Sequence, residues 1–501
     1  MSIEPATPPG TVAAPAAPAS APTLARRLGL FDMTMLVMGS VIGVGIFKVP
    51  RDVARELPFP VLALAAWVLG GIVTLAGSLV YAELTRRRPL VGGQYAFLRE
   101  SYHPAVAFVY GWSLLWIIQS GGMASVAVVF ADYFLQLAGD LGTWLGPDSP
   151  FGFLANWPQK AGAPALVTTI AIGGLTLINC TGVRSGGTTQ NIFMILKIAA
   201  ILMLVACGLA YAGGSAGAVE GAAAASAEMS VSAVHPPSGP GVLMALAVAM
   251  VPIFFAYGGW HTTTFVCGEV RDPRRTLSRA LVLGVCGVMA LYLGVNYACL
   301  RVLGVDRLAM SAAPASEVAR LALGTPGAVA ISVGIAISAL GFLSQATLTS
   351  PRVYYAMAED GLFFRAVAWI HPRTRVPVVA IALQGLFAIV IALTGTFNQI
   401  LNYVMSVEMV FWILTSLGLF IIRRQDAGLP DSAKLSMPGH PLTTLVFVAV
   451  NFAVLVNLFF ENPINSAIGI GIALAGVPVY FAWRGRQPTK ALLAAAEPQP
   501  K

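Results

Sequence analysis

Residues 34 to 56 read TMLVMGSVIGVGIFKVPRDVARE, an apolar stretch interrupted at its middle by Gly43-Val44-Gly45. Inside a bilayer an unpaired backbone group costs several kcal/mol, so a helix that stops at mid-depth needs partners for the groups it frees. A ligand and water in a cavity supply them, and discontinuous helices mark transport sites. The same letters also fit a glycine-tolerant membrane helix packed closely on a neighbour. A second interrupted segment favours the first reading. Residues 241 to 270 read GVLMALAVAMVPIFFAYGGWHTTTFVCGEV, and Gly258-Gly259, between Tyr257 and Trp260, breaks that stretch in the same way.

Composition sets the class around these two stretches. The 501 residues are 57% hydrophobic and 10% charged, with a mean hydropathy of +0.77. Soluble domains carry about 25% charged residues. The 51 glycines and 33 prolines would weaken a soluble helical bundle, whereas membrane helices tolerate both. The chain reads as an all-α polytopic membrane protein, and its net charge of +8 belongs to loop arginines rather than to a nucleic-acid surface. Five cysteines, at 180, 207, 267, 286 and 299, sit in or beside apolar segments without metal or pairing spacing, so they read as small buried hydrophobes. No disulfide, metal site or cofactor is expected. Residues 1 to 24, rich in Ala, Pro, Thr and Ser, lack the basic and apolar regions of a signal peptide and read as a disordered tail.

A span needs about 20 mostly apolar residues. Twelve segments qualify: 31–55, 59–84, 105–137, 163–181, 188–212, 241–267, 277–302, 327–357, 376–395, 399–422, 441–460 and 464–484. An even number puts both termini on one side. With that side inside, the inner loops collect Arg26-Arg27, Arg86-Arg87-Arg88, Arg184, Arg271, Arg274-Arg275, Arg365, Arg373, Arg375 and Arg423-Arg424. The C-terminal tail adds Arg484, Arg486 and Lys490, while the outer loops hold only Lys160, Arg301, Arg307 and Arg320. That asymmetry fits one orientation, with both termini cytoplasmic and the protein in the plasma (inner) membrane. Trp144, Trp157 and Trp483 suit interfacial anchoring. The broken spans are the first and the sixth, so spans 1–5 and 6–10 form five-helix units of opposite orientation, with two helices left over. The expected organisation is a cytoplasmic tail at 1–27, repeats at 28–212 and 241–423, helices 11 and 12 within 440–486, and a cytoplasmic tail at 487–501.

Two such interruptions fit a ligand that carries both a carboxylate and an ammonium group. Free amides around Val44, Gly45 and Ile46, at the positive start of a half-helix, can donate to the carboxylate. Carbonyls that end the first halves, around Val41 and from Phe255 through Ala256 to Gly258, can accept from the ammonium. Gly43, Gly45 and Gly258 let the ligand approach the backbone.

The runs GSVIGVGIFKVP, FFAYGGWHTTTFVCGEVRDPRRTLSRA, and SPRVYYAMAEDGLFF followed by HPRTRVP resemble the amino acid–polyamine–organocation superfamily. FAYGGW, YAEL followed by GGQYAFLRE, and GVPVYF are most similar to the L-type amino acid transporters and their bacterial permease relatives. The resemblance covers about residues 28 to 486. It implies the five-plus-five inverted-repeat (leucine-transporter-like) fold and amino acid transport by alternating access. It also implies that Val44 and Gly45 amides hold the carboxylate, that Val41, Phe255 and Gly258 carbonyls hold the ammonium, and that Phe255 gates the site. Three departures count. Residues 138–162 contain no cysteine, so no disulfide-linked heavy chain is expected. Val44 stands where many relatives have serine, and His261 where they have asparagine or another polar residue.

Two charges lie inside spans. An intramembrane lysine such as Lys197 in span 5 suggests function by default, although snorkelling to the inner surface is the alternative. Burial disfavours its charged form, so it reads as a proton carrier or a fixed cation. By resemblance it replaces a sodium ion beside the first break, and no sodium site is expected. Glu408 in span 10 either titrates with transport, contacts the substrate's side chain, or is a carboxyl satisfied within the bundle. Glu83 and Glu269 read as ion-pair partners of cytoplasmic arginines. His261 and Thr262–Thr264 either cap the second half of span 6 or face the pocket. Lys48 reads as a solvated lysine. The pocket is expected to be mostly apolar, with Val44, Phe255, the stretch from Gln119 to Ser125, and Met409.

A channel would need a continuous polar ring, an enzyme clustered titratable groups, and an ATP-driven pump a phosphate loop, and the sequence supplies none of these. The reading is a non-enzymatic secondary transporter of neutral L-amino acids, as exchanger or proton symporter. A cationic amino acid or polyamine carrier is the alternative because of Glu408.

Overall fold

A helix that is apolar on every side has no aqueous face and must lie in a core or in lipid. Most of this chain forms such helices. The computed structural model describes residues 26–146, 148–160, 162–211, 240–394, 397–428 and 436–484. The expected tails and the arginine-free loop at 213–240 therefore fall almost wholly outside the described residues.

Among the described residues ten helices are long and apolar enough to cross a membrane, and the bent pair Leu30–Val41 and Gly45–Glu56 makes an eleventh span. They fall on eleven of the twelve expected segments. On the ninth stands Val378–Ala392, which has 15 residues and is shorter than a full span. Proline opens the helices at Pro60, Pro104, Pro273 and Pro314, where its missing N–H would have had no partner anyway. Arg86-Arg87 close the first of these helices and Arg423-Arg424 close Phe397–Gln425, against the negative helix end.

Some elements differ from the sequence expectation. The third span runs Pro104–Leu145 and contains a π turn at Leu114–Ile118. The GGQYAFLRE run is a short helix, Gln94–Ser101, ahead of that span. The seventh and eighth spans extend outward through kinks at Gly304 and Gly324, whose φ angles of 69° and 72° suit glycine.

The packing repeats under a shift of five. Span 1 lies on span 7 as span 6 lies on span 2, and span 5 lies on span 8 as span 10 lies on span 3. Spans 2 and 7, 3 and 8, and 4 and 9 pack on each other. Leu177, Leu243 and Phe460, all at least 70% exposed, lie on an outer surface that suits lipid. The protein is a multi-pass membrane protein.

Candidate functional site at the two helix interruptions

The first interruption begins where Ile42 turns extended (φ −74°, ψ 90°) after Val41, and the helix restarts at Gly45 with a 44° bend. Among the described residues the amides of Val44, Gly45 and Ile46 donate to no backbone carbonyl, as befits the first turn of a helix. The freed carbonyls are met from outside. Lys197 Nζ, fully buried, donates to the carbonyls of Ile42 at 2.5 Å and Gly39 at 3.3 Å. Ser338 Oγ donates to the Gly43 carbonyl at 3.1 Å. Tyr292 Oη lies 3.1 Å from the Val41 carbonyl and 2.9 Å from that of Ala256. One phenol thus ties the two interruptions together. Lys197 does not snorkel, because its ammonium is a lid on the broken helix end.

The second interruption is built differently. The helix Pro240–Tyr257 stops, Gly259 takes φ 94°, and Trp260–Glu269 continues as a 3-10 helix. The reason lies in the threonines. Thr262, Thr263 and Thr264 each return a hydroxyl to the carbonyl three residues back, at 2.7, 2.9 and 2.7 Å. Such back-bonding competes with the α-helical ladder and favours a tighter turn. A side chain on Gly259 would come within 2.3 Å of the Ser40 carbonyl, and one on Gly45 within 3.3 Å of Ala256 Cα. Glycine at these two positions lets the broken segments touch.

Between them lies a cavity of about 80 Å³. Eight of the expected site residues line it: Val41, Gly43, Val44, Gly45, Phe255, Ala256, Gly258 and Glu408. Ile46 is fully buried and outside the wall, and Lys197 sits behind the first break rather than on the cavity. Phe255, Val44 and Gly45 also border a second cavity towards Lys48, Asp52 and Tyr133, which puts the Phe255 ring between the two spaces. Met409, expected in the pocket, is buried elsewhere, and Val404 and Met405 take its place. They share with Glu408 the helix face one turn earlier, which excludes residue 409.

Other wall residues, and Tyr292 and Ser338 behind the wall, were not singled out from the sequence. Phe342 packs over Gly43, and Gln345 donates to Thr262 Oγ1 at 2.9 Å. A hydroxyl in the apolar run ALYLGVNYA was the available signal for Tyr292. His261 is buried on the wall, with Nε2 2.9 Å from Glu408 Oε1, and its Nδ1 accepts from Trp412 Nε1 at 3.3 Å.

The arginine-rich side is tied together by ion pairs and main-chain hydrogen bonds. Arg352 and Glu269 pair at 2.8 Å with both side chains fully buried. Such a pair is expensive to desolvate and serves position more than stability. The main-chain amides of Arg27 and Leu28 bond to the Glu269 carbonyl at 2.8 and 3.0 Å, pinning the start of span 1 to the end of span 6. Glu83 receives Arg87 at 2.7 Å, Arg423 at 2.6 Å and the Met437 amide at 2.8 Å. Asp426 receives Arg88 at 2.8 Å and Arg87 at 3.0 Å. Burial alone would raise the Asp426 carboxyl, but these hydrogen bonds outweigh it and hold it below the usual carboxylate range.

Comparison with known proteins agrees with this arrangement. The serine/threonine exchanger SteT of Bacillus subtilis is 29% identical over 467 residues, 93% of this chain and 98% of that one. The large neutral amino acids transporter small subunit 2 of Mus musculus is 28% identical over 478 residues, covering 94% and 84% of the two chains. The Asc-type amino acid transporter 1 of Mus musculus is 30% identical over 467 residues, covering 92% and 82%. The model of the family described as amino acid permease matches residues 28–483, and the chain belongs to that family of membrane transporters within the amino acid–polyamine–organocation superfamily.

Proposed function

We propose that the protein is a secondary transporter of neutral L-amino acids that works by alternating access, as exchanger or proton symporter. One observation carries this reading: a small cavity where two helix interruptions meet, walled by open main-chain groups and apolar side chains. In that setting the amides of Val44 and Gly45, with Ile46 in the same turn, take the carboxylate. The carbonyls of Val41 and of the segment Phe255–Gly258 take the ammonium, and Gly43 leaves the approach open. A carbonyl has two lone pairs, so Ala256 can serve both Tyr292 and a ligand, whereas Val41 already accepts from Tyr292 and the Gly43 amide and takes a ligand by releasing one of them. Phe255 is the gate. Lys197 couples proton or conformational state to the first break, in the place a sodium ion would otherwise fill.

The printed names of the relatives, an exchanger of serine and threonine and carriers of amino acids, support this substrate class. The five-fold shift in packing supports two inverted units, 28–212 and 241–423, with helices 11 and 12 in 440–486 and tails at 1–27 and 487–501. The arginine distribution supports a plasma-membrane location with both termini cytoplasmic. The ion pairs on the arginine side support reading this as an inward-sealed state. Residues 138–162 offer no cysteine for a heavy-chain disulfide, although the relative named a small subunit implies a partner for that protein.

A second reading has one observation in its favour: Glu408, the only acidic side chain on the cavity wall, would suit a cationic amino acid or polyamine. Competition of unlabelled amino acids against one labelled neutral substrate in proteoliposomes separates the two. Neutral competitors should win, and stronger competition by arginine or putrescine would reverse the assignment. Efflux that requires an internal amino acid marks exchange, and accumulation driven by an imposed pH gradient marks symport.

A further inference from the structure

The main-chain groups at the two breaks account for the invariant part of an amino acid. They say nothing about its side chain. The polar groups left on the cavity wall are Gln119, His261, Thr262 and Glu408. Thr262 is already engaged, donating to the Gly259 carbonyl and accepting from Gln345.

His261 is held in one orientation. Tyr81, Trp260, Phe265 and Trp412 surround its ring edge-on, with centroids 5.5 to 6.0 Å away. Trp412 Nε1 is a donor only, so the Nδ1 atom it meets must be an acceptor. The ring's one N–H is then on Nε2, which lies 2.9 Å from Glu408 Oε1. Nε2 approaches that oxygen off the line of its N–H, so the two groups pack closely without a hydrogen bond between them. Among the described residues no group donates to this carboxyl. Glu408 is 6% exposed, and the space it borders is the cavity itself. Its carboxyl, held against the His261 ring, presents acceptor oxygens to whatever occupies that space.

We propose that Glu408 contacts the substrate's side chain and, positioned by His261, selects short neutral side chains that donate a hydrogen bond, a hydroxyl above all. This rests on the amino-acid reading of the cavity. A cavity of about 80 Å³ with Glu408 as its acidic group fits a short side chain better than an extended cationic one. A buried acceptor left unpaired by an apolar isostere is penalised, and that penalty is the source of discrimination. His261 acts through Glu408 and is a positioning residue.

The test is inhibition of labelled-substrate uptake in proteoliposomes by threonine, valine and O-methylthreonine, of similar shape but differing in the donor. Threonine should inhibit at a concentration at least about ten-fold below the other two. In Glu408→Met that ratio should fall to near one. Glu408→Gln, which keeps an acceptor oxygen, should retain part of it, and His261→Phe should narrow it. Equal inhibition by valine or O-methylthreonine in the native protein overturns the proposal while leaving amino acid transport intact. So does stronger inhibition by lysine than by threonine, or a threonine preference that survives Glu408→Met. Absence of inhibition by any amino acid would instead remove the transport reading, and this proposal with it.

Discussion

The two interruptions answer the same physical problem in opposite ways. At the first, neighbours supply the missing partners: Lys197 from span 5, Tyr292 from span 7 and Ser338 from span 8 reach in to the carbonyls of Gly39, Val41, Ile42 and Gly43. At the second, most of the work is local, through Thr262, Thr263 and Thr264 and a left-handed Gly259, with Tyr292 reaching in to the Ala256 carbonyl. A break held from outside can change state when its neighbours move or titrate. A break that closes on itself is a fixed abutment. We read the first as the moving part of the site and the second as its anvil.

That contrast can be broken at several points. The largest effect should come from Gly259→Ala. It forces a side chain into positive φ and within 2.3 Å of the Ser40 carbonyl, so the anvil itself fails. Positive φ alone costs of order 1–3 kcal/mol, and the clash adds to it. Size-exclusion profiles in detergent should show loss of folded protein, and a normal profile and melting temperature would remove the anvil role.

Next comes Lys197→Ala, which strips the lid from Gly39 and Ile42. Transport should drop to background while the protein still purifies as a folded species, because the damage is confined to the movable break. Full uptake by this variant would leave Lys197 with no coupling role.

Tyr292→Phe is a subtler probe. It removes the one hydroxyl shared by the two breaks and keeps the ring packing against Trp67 and Tyr257, at centroid distances of 5.7 and 5.0 Å. A neutral hydrogen bond is worth about 1 kcal/mol, so substrate affinity should weaken about five-fold by scintillation-proximity binding. Unchanged affinity would mean the breaks are not coupled through this phenol.

The smallest effect concerns the arginine-rich side. Asp426 is held below the usual carboxylate range, so it contributes stability that is present above its unfolded value of about 4. That contribution is lost as the pH falls further, through the folded value. Asp426→Asn should therefore melt slightly below the native protein at neutral pH and converge with it in acid. Parallel melting curves from pH 7 down to 3 would show that the arginine pairing adds nothing.

The legible part of this architecture was what lipid imposes. Segment lengths and the two glycine interruptions follow from backbone satisfaction in an apolar medium, and they stand where the letters place them. The ninth segment was legible as apolar but not as short, because helix ends depend on neighbours. The 3-10 form after Gly259 was hidden, since threonine back-bonding competes with the α ladder only once the strain of the break is present. Lys197 could be singled out, but its direction could not: two carbonyls of another span decide between snorkelling and inward capping. Tyr292, Ser338 and Phe342 reach the breaks from spans far away in sequence, and an apolar run gives no sign of which face will meet them. Met409 and Met405 show how one helical step moves a residue off a cavity wall.

The central claim is that main-chain groups at the two interruptions hold the amino acid's charged ends. A high-resolution structure of the protein with a bound neutral amino acid tests it most directly. We predict the carboxylate within hydrogen-bond distance of the Val44 and Gly45 amides and the ammonium against the carbonyls of Val41 and the Phe255–Gly258 segment. A ligand whose charged groups are instead held by side chains, or one seated in the second cavity beside Lys48, would contradict it.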